Sequence, residues 1–236
     1  MTRTAILAGA AALAVSTLSG PASAAERSWS PESFTGVRVA GAYNVIVDTG
    51  SGPAVRAEGD EDTLERMDVY VDDGVLVIKP RKDGVRTLFS GWKNDDKVRV
   101  LVNTRRLDYA AVAGSGDLKV DRMEGDRVAL KLAGSGDLGV GTIDSDRSEI
   151  SIAGSGNVSA AGSCVSGEVK IAGSGDVTAP SFVCRDLTVK ISGSGDVRAR
   201  ATGTADIRVS GSGDVTVTGG AECRKKVSGS GDVRCS

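Results

Sequence analysis

An all-β fold wound as a parallel β-solenoid, with about 20 residues per coil, is what this 236-residue sequence predicts. Three observations predict it. One tetrapeptide recurs seven times in register, apolar and polar residues alternate on both sides of every copy, and the chain is rich in glycine yet poor in aromatic residues.

The tetrapeptide is Gly-Ser-Gly-Asp, starting at Gly114, Gly134, Gly154, Gly173, Gly193, Gly211 and Gly229, in steps of 20, 20, 19, 20, 18 and 18 residues. Only the third copy, Gly154-Ser155-Gly156-Asn157, departs from it. Two residues before the first glycine stand Val112, Leu132, Ile152, Ile171, Ile191, Val209 and Val227. Four before it stand Ala110, Leu130, Ile150, Val169, Val189, Ile207 and then Lys225, the one break. Four after it stand Leu118, Leu138, Val158, Val177, Val197, Val215 and Val233. A period of two is that of a half-buried strand, and β-branched residues suit it. The glycines permit positive φ or close backbone stacking. The fourth place holds Asp117, Asp137, Asn157, Asp176, Asp196, Asp214 and Asp232, whose side chains can accept from local backbone amides.

Composition agrees with a narrow core. Aromatics make up 3% of the chain against 32 glycines, so Val, Ile, Leu and Ala must fill the interior. About 20 residues at about 3.3 Å each give a contour near 65 Å, enough for two or three short strands per coil, with equivalent positions about 4.8 Å apart in neighbouring coils. No single coil can bury its apolar face; stacking buries it. The competing architecture is a run of antiparallel hairpins turning at Ser-Gly and closed as a barrel or prism.

Upstream, Val37, Val39, Gly41-Ala42-Tyr43-Asn44, Val45 and Val47 form a degenerate eighth copy. Residues 69–71, 75–78 and 98–102 read as strands, residues 60–67 as a helical turn, and residues 80–97, charged and bearing Phe89 and Trp92, as a long surface loop. At the N-terminus, Arg3, the apolar run from Ala5 to Leu18 and Ala22-Ser23-Ala24 have the form of a secretory signal peptide cleaved before Ala25. The organisation expected is therefore a signal peptide over 1–24, a less regular β-coil region over 25–107 and the regular repeat solenoid over 108–236. An exported protein, periplasmic or extracellular, with no membrane span after cleavage is expected.

Four cysteines in an exported chain allow three pairings. Cys164 and Cys184 each lie nine residues before a repeat glycine, so stacking would bring them within disulfide reach. Cys223 and Cys235 lie six residues before and six after Gly229, both on the inward phase of the last coil, where a bridge would close the end of the core. Four free buried thiols are the alternative.

The copies from Val112-Ala113-Gly114-Ser115-Gly116-Asp117-Leu118 onward, with Val39-Ala40-Gly41-Ala42-Tyr43-Asn44-Val45, resemble a bacterial family described as putative auto-transporter adhesin, head GIN domain, over residues 34 to 236. The resemblance implies a right-handed parallel β-helix in the cell envelope or outside the cell, and no established biochemical activity. No membrane barrel is expected to accompany these repeats, so the adhesin label is not carried over as a secretion mechanism.

Histidine is absent, which excludes Ser-His, Cys-His and His-metal chemistry. Gly-Ser-Gly is neither a nucleophile elbow nor a phosphate loop, so each serine reads as a turn residue. Stacked carboxylates near 5 Å would repel by about 0.8 kcal/mol in water, and calcium between coils would relieve this. One carboxylate per coil falls short of the six to eight oxygens calcium prefers, so capped turns are favoured and no metal or cofactor is expected. A net charge of -2 argues against a nucleic-acid partner. A flat serine column for ice is not supported by any Thr-x-Thr array. The expected function is a non-catalytic envelope or extracellular module, binding or structural, with a glycan or a protein as ligand. A carbohydrate-active β-helix enzyme, lyase or hydrolase, is the alternative.

Overall fold

The computed structural model describes residues 25–81 and 98–236. The expected signal peptide, and residues 82–97 of the loop expected over 80–97, with Phe89 and Trp92, lie outside the described residues; Pro80 at its start instead ends a strand. The described residues form a β-solenoid of about six turns, built as one sixteen-stranded sheet.

The regular coils are β9 (Asp117–Gly134), β10 (Leu138–Gly154), β11 (Val158–Gly173), β12 (Val177–Gly193) and β13 (Val197–Gly211). Each is a long strand bent around the core that ends on the first glycine of a tetrapeptide. Neighbours pair parallel: Leu138 sits opposite Leu118 and Val158, and Gly154 opposite Gly134 and Gly173. Hairpins closed as a barrel or prism would have put these strands antiparallel. The final coil is split into β14 (Val215–Thr218) and β15 (Glu222–Gly229), with β16 (Val233–Cys235) beyond it.

Alternation explains the interior. In β10, Leu138, Val140, Ile143, Ile150 and Ile152 are all buried, and partners above and below extend each into a column. Burying one such side chain contributes about 1.5–3 kcal/mol. The column through Ile152 runs from Val39 and Val112 to Val209, every member at most 3% exposed. Its last residue, Val227, is 38% exposed because none of the described residues stacks on its far side.

The degenerate copy forms β2 (Gly36–Gly41) and β3 (Asn44–Thr49), which stack on β8 (Tyr109–Gly114) and on the start of β9; Gly41 lies opposite Gly114 and Val45 opposite Leu118. Space and sequence then part company. β6 (Val75–Pro80) and β7 (Arg99–Thr104) pair parallel with the far edges of β2 and β3, Ile78 opposite Val39 and Val100 opposite Val45. The β2–β3 coil therefore lies between a later segment, β6–β7, and the first regular repeat.

The N-terminal end is covered. β5 (Met67–Asp72) packs antiparallel on β6, β4 (Ala54–Gly59) antiparallel on β7, and β1 (Ala25–Trp29) antiparallel on β4. The expected helical turn is α1 (Glu61–Glu65). Asp60 caps it by accepting from the Thr63 amide at 3.1 Å, Glu61 and Asp62 suit the positive end of its dipole, and Leu64 is buried.

Candidate functional site

The tetrapeptide edge is the most regular feature of the surface. Its first glycine has a positive φ, +130° at Gly134, which a side chain rarely tolerates. Its second glycine is needed for space: a Cβ on Gly136 would overlap the carbonyl oxygen of Gly116 in the coil before. That closeness is used for pairing. The carbonyl of Gly114 accepts from both Ser135 (2.9 Å) and Gly136 (3.2 Å) in the next coil. The serine side chains project outward and are exposed.

The acidic residues do not cap their own turns, as the sequence led one to expect. Each reaches forward one coil. Asp117 Oδ1 accepts from the Asp137 amide at 3.0 Å, Asp137 Oδ1 from Asn157 at 3.1 Å, and Asn157 Oδ1 from Asp176 at 3.3 Å. Asp176, Asp196 and Asp214 accept from the amides of Asp196, Asp214 and Asp232, each at 2.8 Å. The reason is geometric. The carbonyl of each ladder residue already accepts from the residue after the preceding ladder member, as Asp137 does from Leu118, which leaves the amide to be met by a side chain. Asp232 has no following coil and instead meets Arg234 at 2.7 Å. Among the described residues, no group of three or more acidic or cysteine side chains is arranged to hold a metal ion.

Cys164 and Cys184 are bonded between stacked coils with a Cα–Cα distance of 4.5 Å. Gly167 makes room, since a Cβ there would come within 2.8 Å of the Cys184 Sγ. Cys223 and Cys235 are bonded across the last coil, with Cα atoms 6.6 Å apart. Cys223 is half-buried, whereas Cys235 is exposed, because no further coil covers the inward phase there.

Register also assembles a column that no sequence motif marks. Three residues before each first glycine, on the outward phase, lie Arg38, Ala111, Lys131, Ser151, Lys170, Lys190, Arg208 and Lys226, of which Ala111 is buried. Its middle is neutralised. Lys170 Nζ lies 3.1 Å from Glu149 and 3.0 Å from Glu168, and Lys190 Nζ lies 2.9 Å from Glu168. Hydrogen bonds from Lys190 and then Lys170 hold the Glu168 carboxyl below the usual range, and those to Glu168 and Glu149 hold the Lys170 ammonium above its own. Beside this column a shallow trough of about 420 Å³ has Ala153, Ala172 and Ser192 among its lining.

The N-terminal part of the same face is different in kind. Lys79 Nζ stands 5.1 Å from the centre of the Tyr70 ring, while Arg38 and Lys131 lie 5.9 and 5.8 Å from the Tyr109 ring. A hydrogen bond with Tyr70 raises the Lys79 pKa. Arg38, Lys79 and Lys131 form no ion pair among the described residues.

Solved structures share this architecture. A protein described as a putative adhesin from Bacteroides fragilis superposes with a TM-score of 0.76 at 19% identity, over 91% of this chain and 98% of that one. A putative lipid binding protein from Parabacteroides distasonis gives 0.71 at 20% identity, over 92% and 98%. A putative adhesin from Parabacteroides merdae gives 0.68 at 19%, over 92% and 98%. At such identities the likeness shows the fold alone. No curated protein matches the sequence. The family model, in contrast, matches residues 33–221, and by that match the chain belongs to the family described as putative auto-transporter adhesin, head GIN domain.

Proposed function

We propose that this protein is a non-catalytic binding module of the adhesin type, exported to the periplasm or the cell exterior, in which a rigid solenoid presents outward columns to a ligand. The observation that carries this reading is the use made of the repeated polar groups. The ladder side chains from Asp117 to Asp214 each hold the next coil through its amide, so the conserved chemistry of the repeat is spent on rigidity. What varies from coil to coil is the set of outward side chains, which is where a ligand would be read. A stiff sheet loses little conformational entropy on binding, which favours an extended ligand. Family membership and the names of the structural neighbours, putative adhesins and a putative lipid binding protein, support binding over turnover. Two disulfides fit an oxidising compartment.

The test is a glycan array followed by a turnover panel on any polymer retained. Retention with no released product is expected. Release of oligosaccharide from a bound polymer would overturn the reading in favour of a lyase or hydrolase.

A further inference from the structure

We infer that the face carrying Tyr70, Lys79, Arg38, Tyr109 and Lys131 binds an acidic polysaccharide whose successive sugars carry carboxylates, laid along the solenoid axis. This deepens the binding reading above and rests on it.

Pairing places these residues on one face. Tyr70 faces Val77 across β5 and β6, Val77 faces Arg38, Arg38 faces Ala111, and Ala111 faces Lys131. Four strand spacings separate Tyr70 from Lys131, about 19 Å at about 4.8 Å each. Arg38 and Lys131 stand two spacings apart, and Tyr109 lies within reach of both. Lys79, next to this line on β6, stands over Tyr70. Arg38, Lys131 and Tyr70 are exposed, Tyr70 at 41%. The strand backbones fix their spacing, so the charges are held apart before any ligand arrives.

Chemistry selects the ligand. Asp68 is paired with Arg81 at 2.9 Å and Glu149 with Lys170 at 3.1 Å, while Asp68 and Asp72 both lie near enough to Lys79 to favour its charged form. Arg38 and Lys131 form no ion pair among the described residues, and all three cations sit at the face or rim of an aromatic ring. A sugar presents an apolar C–H face to a ring and, when acidic, a carboxylate to a cation beside that ring. A charge-assisted hydrogen bond from Arg38 or a lysine would fix the carboxylate. A bilayer would call for exposed apolar side chains, and among the described residues Tyr70 is the only large one on this face above a third exposed.

The test titrates the full mature chain, by calorimetry, with polygalacturonate, neutral dextran, phosphatidylglycerol vesicles and single-stranded RNA. Salt-sensitive binding to polygalacturonate alone is expected. Lys131→Glu and Arg38→Glu should each weaken it by about tenfold or more. Lys131→Gln, milder and on an exposed side chain, should weaken it less. Lys190→Ala, whose ammonium is already held by Glu168, should leave it within about twofold. The circular dichroism of every variant should match the parent. No binding to polygalacturonate, equal binding to vesicles or RNA, or binding indifferent to Lys131 and Arg38 overturns the inference. Dextran binding that ignores Lys131 would overturn it as well, while leaving the binding module standing on another surface. Cleavage of the polymer would instead overturn the non-catalytic reading itself.

Discussion

Asp176 Oδ1 accepts the backbone amide of Asp196, one coil further along, at 2.8 Å. The two residues are 20 apart in sequence, yet the side chain of one completes the main-chain pairing of the other. The same relation runs from Asp117 to Asp232, with Asn157 as the one amide member. At the tetrapeptide corner the ordinary β ladder leaves one amide per coil without a carbonyl, and an acidic or amide side chain supplies the acceptor.

Replacing Asp196 by Ala should therefore destabilise the fold by about 1–3 kcal/mol, because it strands the Asp214 amide. The lower end is expected, since the site is partly open to water. Asp196→Asn should cost less, because Asn157 performs the same task with its own carbonyl oxygen. Urea melts of the three proteins decide it; an alanine variant as stable as the parent would mean that water satisfies the amide equally well.

The two glycines and the serine of one turn should behave very differently. A Cβ at Gly195 would run into the carbonyl of Gly175 and come within 3.0 Å of Ile171 Cγ2. Gly195→Val should thus lower stability severely, by about 3 kcal/mol or more, through overpacking against a backbone that cannot yield. Ser194 is exposed, and Ser194→Ala should stay within about 0.5 kcal/mol. Thermal unfolding of both variants is the measurement, and equal losses would contradict this account of the turn.

Calcium should not change the melting temperature of the parent or of Asp176→Ala. The ladder oxygens accept amides along one edge, with one side chain per coil, and calcium prefers six to eight oxygens. A rise of many degrees in the parent that Asp176→Ala abolishes would make the ladder a metal site.

The period-two alternation and the constant spacing between glycines made the strands, the stacking and the neighbouring positions of Cys164 and Cys184 legible in sequence. Burial side is set by phase, and coil register by repeat length. The target of the aspartates was not legible, because a local amide and the amide of the next coil are equally plausible until the pairing leaves one of them empty. Nor was the winding order near the start. Nothing between Ile78 and Val100 resembles the repeat, so sequence alone does not say that β6–β7 lies outside β2–β3. The cluster at Tyr109 was half visible. Arg38 and Lys131 recur three residues before a repeat glycine, but an outward column of charge looks like any solvated face until register brings the tyrosines beside it.

Reducing the Cys164–Cys184 bridge should cost about 3 kcal/mol in the chain-entropy model for a loop near 20 residues. Non-reducing peptide mapping should recover Cys164 with Cys184 and Cys223 with Cys235. Recovery of a crossed pair would break the coil register on which the core columns depend.

The two ends of the solenoid differ, and Lys225 is the reason the open one should stay unpaired. The N-terminal end is covered by α1 and antiparallel strands. The C-terminal end shows the bare edge of β15 and a half-exposed Val227, a template for pairing with a second chain. In the column of Val189 and Ile207, the next place is taken by Lys225, whose Nζ donates to the Val233 carbonyl at 3.2 Å. With Arg224 and Lys226 beside it, two such edges would meet with three cations each, and like charges set opposite one another disfavour the pair. Lys225→Ile continues the apolar column to the open edge and removes its central charge. Sedimentation should show the parent monomeric at concentrations where Lys225→Ile forms dimers or larger species, and Lys225→Glu should remain monomeric because it keeps a charge in the column. If Lys225→Ile sediments as the parent does at every concentration, the lysine is not what keeps the edge unpaired.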